Sequence, residues 1–181
     1  MKTPTVQILI AEGVEEMEAI APIDLLRRAG ATVNILALGN ELTITGRNGV
    51  KIVADALFSD CDEEESDMIV IPGGPSHKIM LNDIAVLNWI KRHKNSWIAS
   101  ICAGPLVLSK AGILEGKQFT SHVTTANDLT TRITELPVVI DQKLITSQGA
   151  GTATAFALEL VSALFGKDKA GEIQESISGT F

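Results

Sequence analysis

The chain has 181 residues, 45% of them apolar and 20% charged, which is the profile of a soluble globular protein long enough for one domain with a sizeable core. Aromatics make up 4% with no tyrosine, and the net charge is −7; this argues against a base-stacking or sugar-binding surface and against nucleic acid or anionic membrane as a main partner. No apolar run reaches the roughly 18 to 20 residues needed to cross a bilayer, and the first ten residues show no signal peptide.

In chain order, Thr5 to Ala11 is a short apolar run and reads as a buried strand. Gly13 to Gly30 reads as a helix, with Glu15 and Glu16 as solvated partners of its positive end and Arg27 and Arg28 at its negative end. Gly30 is its stop, and Pro22 predicts a kink or a late start. Ala31 to Leu38 is a second strand. Leu42 to Thr45 and Val50 to Ala54 flank "GRNG", a hairpin signal. Asp60 to Asp67 reads as a solvated acidic loop. Met68 to Ile71 is a strand running into Pro72, Gly73 and Gly74. Then come a helix (Ile84 to His93), a strand (Trp97 to Ile101) and a helix (Ala103 to Ala111). Val138 to Asp141 and Lys143 to Thr146 form a small hairpin. A glycine-rich turn opens a long helix, and Lys167 to Ser178 is a last one.

Apolar strands alternating with helices predict one α/β domain over 1–181. The expected form is a flavodoxin-like three-layer sandwich, a mostly parallel sheet with helices on both faces plus an added hairpin. Sites in such folds form beyond the carboxyl ends of the strands. That rule selects Glu12 to Glu18, Pro72 to Ser76, Cys102 to Pro105 and Gln148 to Thr152.

Cys102 stands between a strand and "AGP", the setting of a nucleophile elbow. There a helix N-terminus would lower its pKa and the Ala103 N–H would be free for an oxyanion. A buried structural cysteine fits the local sequence equally well. Gly73 and Gly74 let backbone N–H groups approach a ligand, with Gly74 the better second oxyanion donor. Glu18, flanked by Met17, Ala19 and Ile20, is a candidate for a carboxyl kept partly protonated by apolar surroundings, able to donate to a thiolate or to move a proton, although a solvated helix carboxylate fits the local sequence better. His122 is a candidate proton carrier, His77 is placed to face the same crevice, and His93 in "KRHKN" reads as solvated. Cys61, among acidic residues, reads as functionally silent and pairs in no evident disulfide framework, so a reducing, cytoplasmic setting is expected. No metal-ligand spacing, GxGxxG or Walker motif is present, and no cofactor is expected.

Taken together, "AEGVEEMEAIAPIDLLRRAG", "DMIVIPGG", "IASICAGP", "TSH" and "LITSQGAGTA" resemble, in order and over nearly the whole chain, the ThiJ/PfpI superfamily. The likeness is to its parkinsonism-associated (DJ-one) branch and that branch's bacterial chaperone-like relatives. The protease-like branch usually has His directly after the nucleophilic Cys, where Ala103 stands here. The resemblance implies a reactive Cys102, a protonated Glu18 beside it, N–H donors at Gly74 and Ala103, and His122 close by. It also implies a homodimer with Arg47 lining the site near the subunit boundary. Two departures stand out: Thr45 and Ile52 lie where the branch often has cysteines, and Ala150 replaces a common proline.

The function this implies is a cofactor-free glyoxalase III-type or deglycase-like enzyme acting on small reactive carbonyls or glycated protein. The alternative is a non-enzymatic redox sensor or redox-regulated chaperone that uses oxidation of Cys102. A cysteine hydrolase or amidotransferase is a weaker alternative, since the His beside the nucleophile is missing.

Overall fold

The computed structural model describes residues 2–61 and 66–179. Its strands are β1 (Thr5–Ala11), β2 (Thr32–Leu38), β3 (Thr43–Thr45), β4 (Lys51–Val53), β5 (Ala56–Leu57), β6 (Met68–Ile71), β7 (Trp97–Ile101), β8 (Val138–Asp141) and β9 (Leu144–Ser147). Its α-helices are α1 (Glu16–Ala29), α2 (His77–Met80), α3 (Ile84–Arg92), α4 (Pro105–Lys110), α5 (Ala153–Phe165) and α6 (Lys167–Ser178). Seven strands form one sheet in the order β5-β2-β1-β6-β7-β9-β8, while β3 and β4 make a separate antiparallel ribbon. Every pairing in the large sheet is parallel except β8 with β9. The chain thus builds outward from β1 through β2 to β5, then returns to its other side with β6. This leaves a topological switch between β1 and β6, where open α/β sheets place their sites.

Alternation along the central strands divides the core. Val6, Ile8 and Ile10 of β1 pack with Leu26, Phe156 and Leu160 on the α1/α5 side. Leu9 and Ala11 point the other way, to Trp89, Ile90 and Leu108 on the α3/α4 side. With both faces covered, the central strands are mostly apolar, as parallel sheets favour, and the buried exceptions Gln7, Ser100, Thr146 and Ser147 are hydrogen-bonded.

Several details depart from the sequence expectations. Helix α1 begins at Glu16, and Pro22 lies inside it without moving its start. Glu15 and Glu16 are not solvated: each is 8% exposed. Glu15 is the N-cap and accepts the Glu18 N–H at 3.0 Å. Glu16 reaches across to the β3–β4 turn, accepting from Asn48 N at 2.6 Å and Asn48 Nδ2 at 2.9 Å. His93 is also buried, bonded through Nδ1 to Trp89 O and through Nε2 to Ser66 N; its neighbours in sequence are charged, but it closes α3 against the core. The expected helix from Ala103 is only the six residues of α4. Strand β5 and the short α2 are additions that no periodic pattern marks. Asp62 to Glu65 of the expected acidic loop lie outside the described residues.

Candidate active site

Cys102 follows β7 and has φ 65°, a left-handed conformation that a non-glycine residue adopts only when its surroundings fix it. Two backbone bonds do so: Cys102 N donates to Ser147 O at 3.0 Å, and His122 N donates to Cys102 O at 2.9 Å. The turn needs Gly104, because a Cβ there would stand 2.6 Å from Ile71 O and also press on the Ser100 hydroxyl. Strand β7 therefore ends in an elbow that presents the thiol, half-buried, above the carboxyl edge of the sheet.

Glu18, one turn into α1, is 1% exposed. Its Oε2 accepts the Gly73 N–H at 2.9 Å, while its Oε1 is buried with no hydrogen-bond partner of good geometry among the described residues. Gly73 is a glycine for want of room: a Cβ would lie 2.6 Å from both Glu18 Oε2 and Cys102 Cβ. Its N–H is committed to Glu18, so Gly73 positions the acid and is not an oxyanion donor. The N–H groups of Gly74 and Ala103, by contrast, are directed at the Cys102 sulfur. Gly74 sits at φ 86°, packed so tightly on Gly13 and Glu15 that no side chain fits.

Burial pushes the Glu18 carboxyl up to about 7, helped by the charge of Glu15 and opposed by hydrogen bonding with Cys102 and Gly73 and by the charge of Arg47. Burial likewise pushes the Cys102 thiol up to about 12, followed by the negative charge of Glu18 and their hydrogen bond, with the Gly74 and Ala103 N–H groups opposing. The lowered thiol pKa expected from a helix N-terminus is absent: α4 is short and begins three residues later, and burial beside an ionised carboxylate outweighs it. The two groups form a coupled pair. When Glu18 holds a proton, the charge that suppresses the thiolate is gone.

His122 caps the 3₁₀ turn at 123–125. Its Nδ1 accepts the Thr124 N–H at 3.3 Å and lies 2.8 Å from Thr124 Oγ1, so the neutral ring carries its proton on Nε2. That edge borders the Gly149 backbone on the same side as Glu18 Oε1. His77 places Nδ1 2.7 Å from Gly74 O. Arg47 projects from the β3–β4 turn, held by its N–H on Val14 O at 2.8 Å.

Glu18, Arg47, Gly74, Cys102, Ala103 and His122 all line one cleft of about 450 Å³, together with His77 and Lys78. Lys78, on the first turn after "PGG", has no motif to announce it in the sequence. A larger cleft of about 850 Å³ lies at the opposite edge of the sheet, among Lys91, Lys94, Lys117 and Lys143; no cysteine lines it, Lys91 sits in the last turn of α3 where the dipole favours a cation, and Lys117 and Lys143 donate to Gln142 Oε1 and Asn95 O. Among the described residues, no group of three or more His, Cys, Asp or Glu is placed to hold a metal ion.

An α/β fold with a strained cysteine at a strand-to-helix elbow, facing a buried glutamate, defines a class of elbow-cysteine proteins. Residues 4–163 match the DJ-1/PfpI family, and this chain belongs to that family. It is 37% identical over 179 residues to protein DJ-1 homolog B of Arabidopsis thaliana, covering 96% of this chain but 41% of that longer protein. It is 34% identical to protein dj-1beta of Drosophila melanogaster, covering 94% of each. It is also 34% identical to deglycase TK1284 of Thermococcus kodakarensis, covering 88% of this chain and 98% of that one. The crystal structure of Drosophila melanogaster DJ-1beta superposes with a TM-score of 0.94 at 32% identity, over 99% of this chain and 100% of that one. Oxidised DJ-1 of Toxoplasma gondii superposes at 0.93 with 32% identity, over 99% and 100%.

Proposed function

We propose that residues 1–181 act as one cofactor-independent enzyme of the glyoxalase III or deglycase type, converting α-oxoaldehydes such as methylglyoxal to hydroxy acids and reversing early glycation adducts, in defence against reactive carbonyls. The observation that carries this reading is the pairing of a strained Cys102 with a buried Glu18 whose carboxyl titrates near neutral pH. An acid of that pKa can give a proton in one step and take one in the next.

The Cys102 thiol passes its proton to Glu18, and the thiolate adds to the aldehyde carbon, forming an S–C bond. The carbonyl electron pair becomes an oxyanion that the Gly74 and Ala103 N–H groups stabilise, and protonation gives a hemithioacetal. Glu18, assisted by His122, then removes the proton from C1 and a proton is delivered to C2, which turns C1 into a thioester and C2 into an alcohol. Water hydrolyses the thioester, releasing lactate from methylglyoxal and restoring the thiol. The aldehyde carbon is oxidised and the ketone carbon reduced within one molecule, so no outside electron acceptor is needed. The resemblance of the chain to deglycase TK1284 supports the same class of chemistry. A reducing cytoplasmic setting suits it, since the nucleophile must remain a thiol.

The test is steady-state turnover of methylglyoxal. Cys102→Ser is expected to lose about a thousandfold or more in kcat, and Glu18→Ala about a hundredfold. Full activity in either variant overturns the assignment.

A second reading is supported by the same N–H groups. Peroxide delivers one oxygen to the thiolate to give a sulfenate and a second to give a sulfinate, whose oxygens the Gly74 and Ala103 N–H groups and a protonated Glu18 are placed to bind. Stoichiometric sulfinate at Cys102 after mild peroxide, with negligible dicarbonyl turnover, would favour a sensor or redox-regulated chaperone over an enzyme.

A further inference from the structure

The cleft around Cys102 contains two cations that the mechanism above leaves unused. Arg47 comes from the β3–β4 turn and Lys78 from α2, so separate elements deliver them to one opening. Among the described residues neither side chain makes an ion pair, in a protein whose net charge is −7. The carboxylates nearby are engaged: Glu15 caps α1, Glu16 holds Asn48, and Glu18 accepts from Gly73. His77 is turned onto the Gly74 carbonyl. Arg47 is near enough to act on Glu18 by its charge, but with neither cation in an ion pair, both suit a substrate with an anionic group remote from its reacting carbonyl.

We propose that Arg47 and Lys78 bind that group, so that the preferred substrates are α-oxoaldehydes bearing a carboxylate or phosphate rather than neutral ones. This rests on the reading of Cys102 as the nucleophile. Binding energy from the charged tail would hold the aldehyde carbon against the sulfur. For 4,5-dioxopentanoate the balance is that of methylglyoxal: one water is added, the aldehyde carbon ends as a carboxylate, the adjacent ketone as an alcohol, and the product is 2-hydroxyglutarate.

The first experiment needs no turnover. Cys102 is alkylated with iodoacetate and with its neutral counterpart iodoacetamide, and the peptide carrying it is quantified by mass spectrometry apart from that of Cys61. In both reactions the sulfur displaces iodide, so any change in thiolate fraction cancels in the ratio of rates. Wild type is expected to react with iodoacetate at least as fast as with iodoacetamide. Arg47→Gln and Lys78→Gln should each lower the ratio about threefold, and about tenfold together, while Arg47→Lys retains most of it. A ratio that neither substitution moves overturns the inference and leaves the nucleophile reading standing. A Cys102 that reacts with neither reagent overturns both. The second experiment compares kcat/KM for 4,5-dioxopentanoate and 2-oxopentanal, which have the same number of carbons: wild type should favour the acid and the double variant should lose that preference, whereas equal preference in wild type overturns the inference.

Discussion

Glu18 holds the main energetic tension at the scale of single residues. Its carboxyl has a pKa of about 7 in the fold against 4.5 for the free side chain. Between those values the folded chain binds more protons than the unfolded one, so stability falls as pH rises through this window. Below about pH 4.5 the group is neutral in both states and costs nothing; above about 7 the fold carries a buried charge worth at most about 3 kcal/mol. Glu18→Gln keeps an acceptor for the Gly73 N–H and removes the charge. It is therefore expected to unfold at higher denaturant concentration than wild type at pH 8, with the difference closing by pH 5, in paired urea titrations. A constant difference across that range would mean that Glu18 is ionised throughout. The local sequence points to this residue only weakly: Met17 and Ile20 beside it turn out to be exposed, and the burial of Glu18 comes from Gly73 and the elbow, which are distant in the chain. Its neighbours Glu15 and Glu16 were not legible: both look solvated, and only the tertiary contacts of the β3–β4 turn reveal Glu16 as its anchor.

Among the elements, the elbow is the one on which the site turns. The sequence "CAGP" already suggests a sharp strand-to-helix turn, but the reason for Gly104 lies in the packing of β6 against β7, which leaves the Ile71 carbonyl and the Ser100 hydroxyl, itself bonded to that carbonyl at 2.9 Å, where a side chain would go. Gly104→Ala is expected to cost about 1–3 kcal/mol and to slow Cys102 alkylation, because relief of the clash must shift the elbow; thermal melts and the alkylation rate together check this. Retained alkylation with unchanged stability would show that the turn has slack. The sequence alone suggests a helix from Ala103 to Ala111, but the residues just after Cys102 are spent on the turn and α4 runs only from Pro105 to Lys110, so the dipole available to the thiol is small.

For the whole molecule, the two apolar layers meet through β1, β6 and β7, and Phe156 is the largest side chain buried on the α5 side with no exposure. Phe156→Ala is expected to cost about 3–5 kcal/mol in reversible unfolding, since the rigid strand layer beneath it cannot collapse into the gap. At the surface, Met17 and Ile20 of α1 are 58% and 44% exposed and border an apolar hollow with Ala21 and Ala153. An exposed apolar patch of this kind is where the homodimer implied by the family resemblance would pack. Sedimentation equilibrium is expected to give twice the chain mass for wild type and the single-chain mass for Met17→Glu/Ile20→Glu; a monomeric wild type would refute the assembly.

The sequence by itself determined the alternating α/β order, the parallel sheet and the break after β7, because these follow from local periodicity; it singled out Glu18 and Cys102 only through the family resemblance, since the residues around each fit a solvated carboxylate or a buried structural thiol as well. What only the tertiary structure decided is who surrounds whom. It assigned the Gly73 N–H to Glu18, raised the thiol pKa where a helix end alone would lower it, buried His93, and brought Lys78 and Arg47 to one opening. Those outcomes depend on desolvation and on contacts between residues far apart in the chain, and neither is written in the spacing of the sequence.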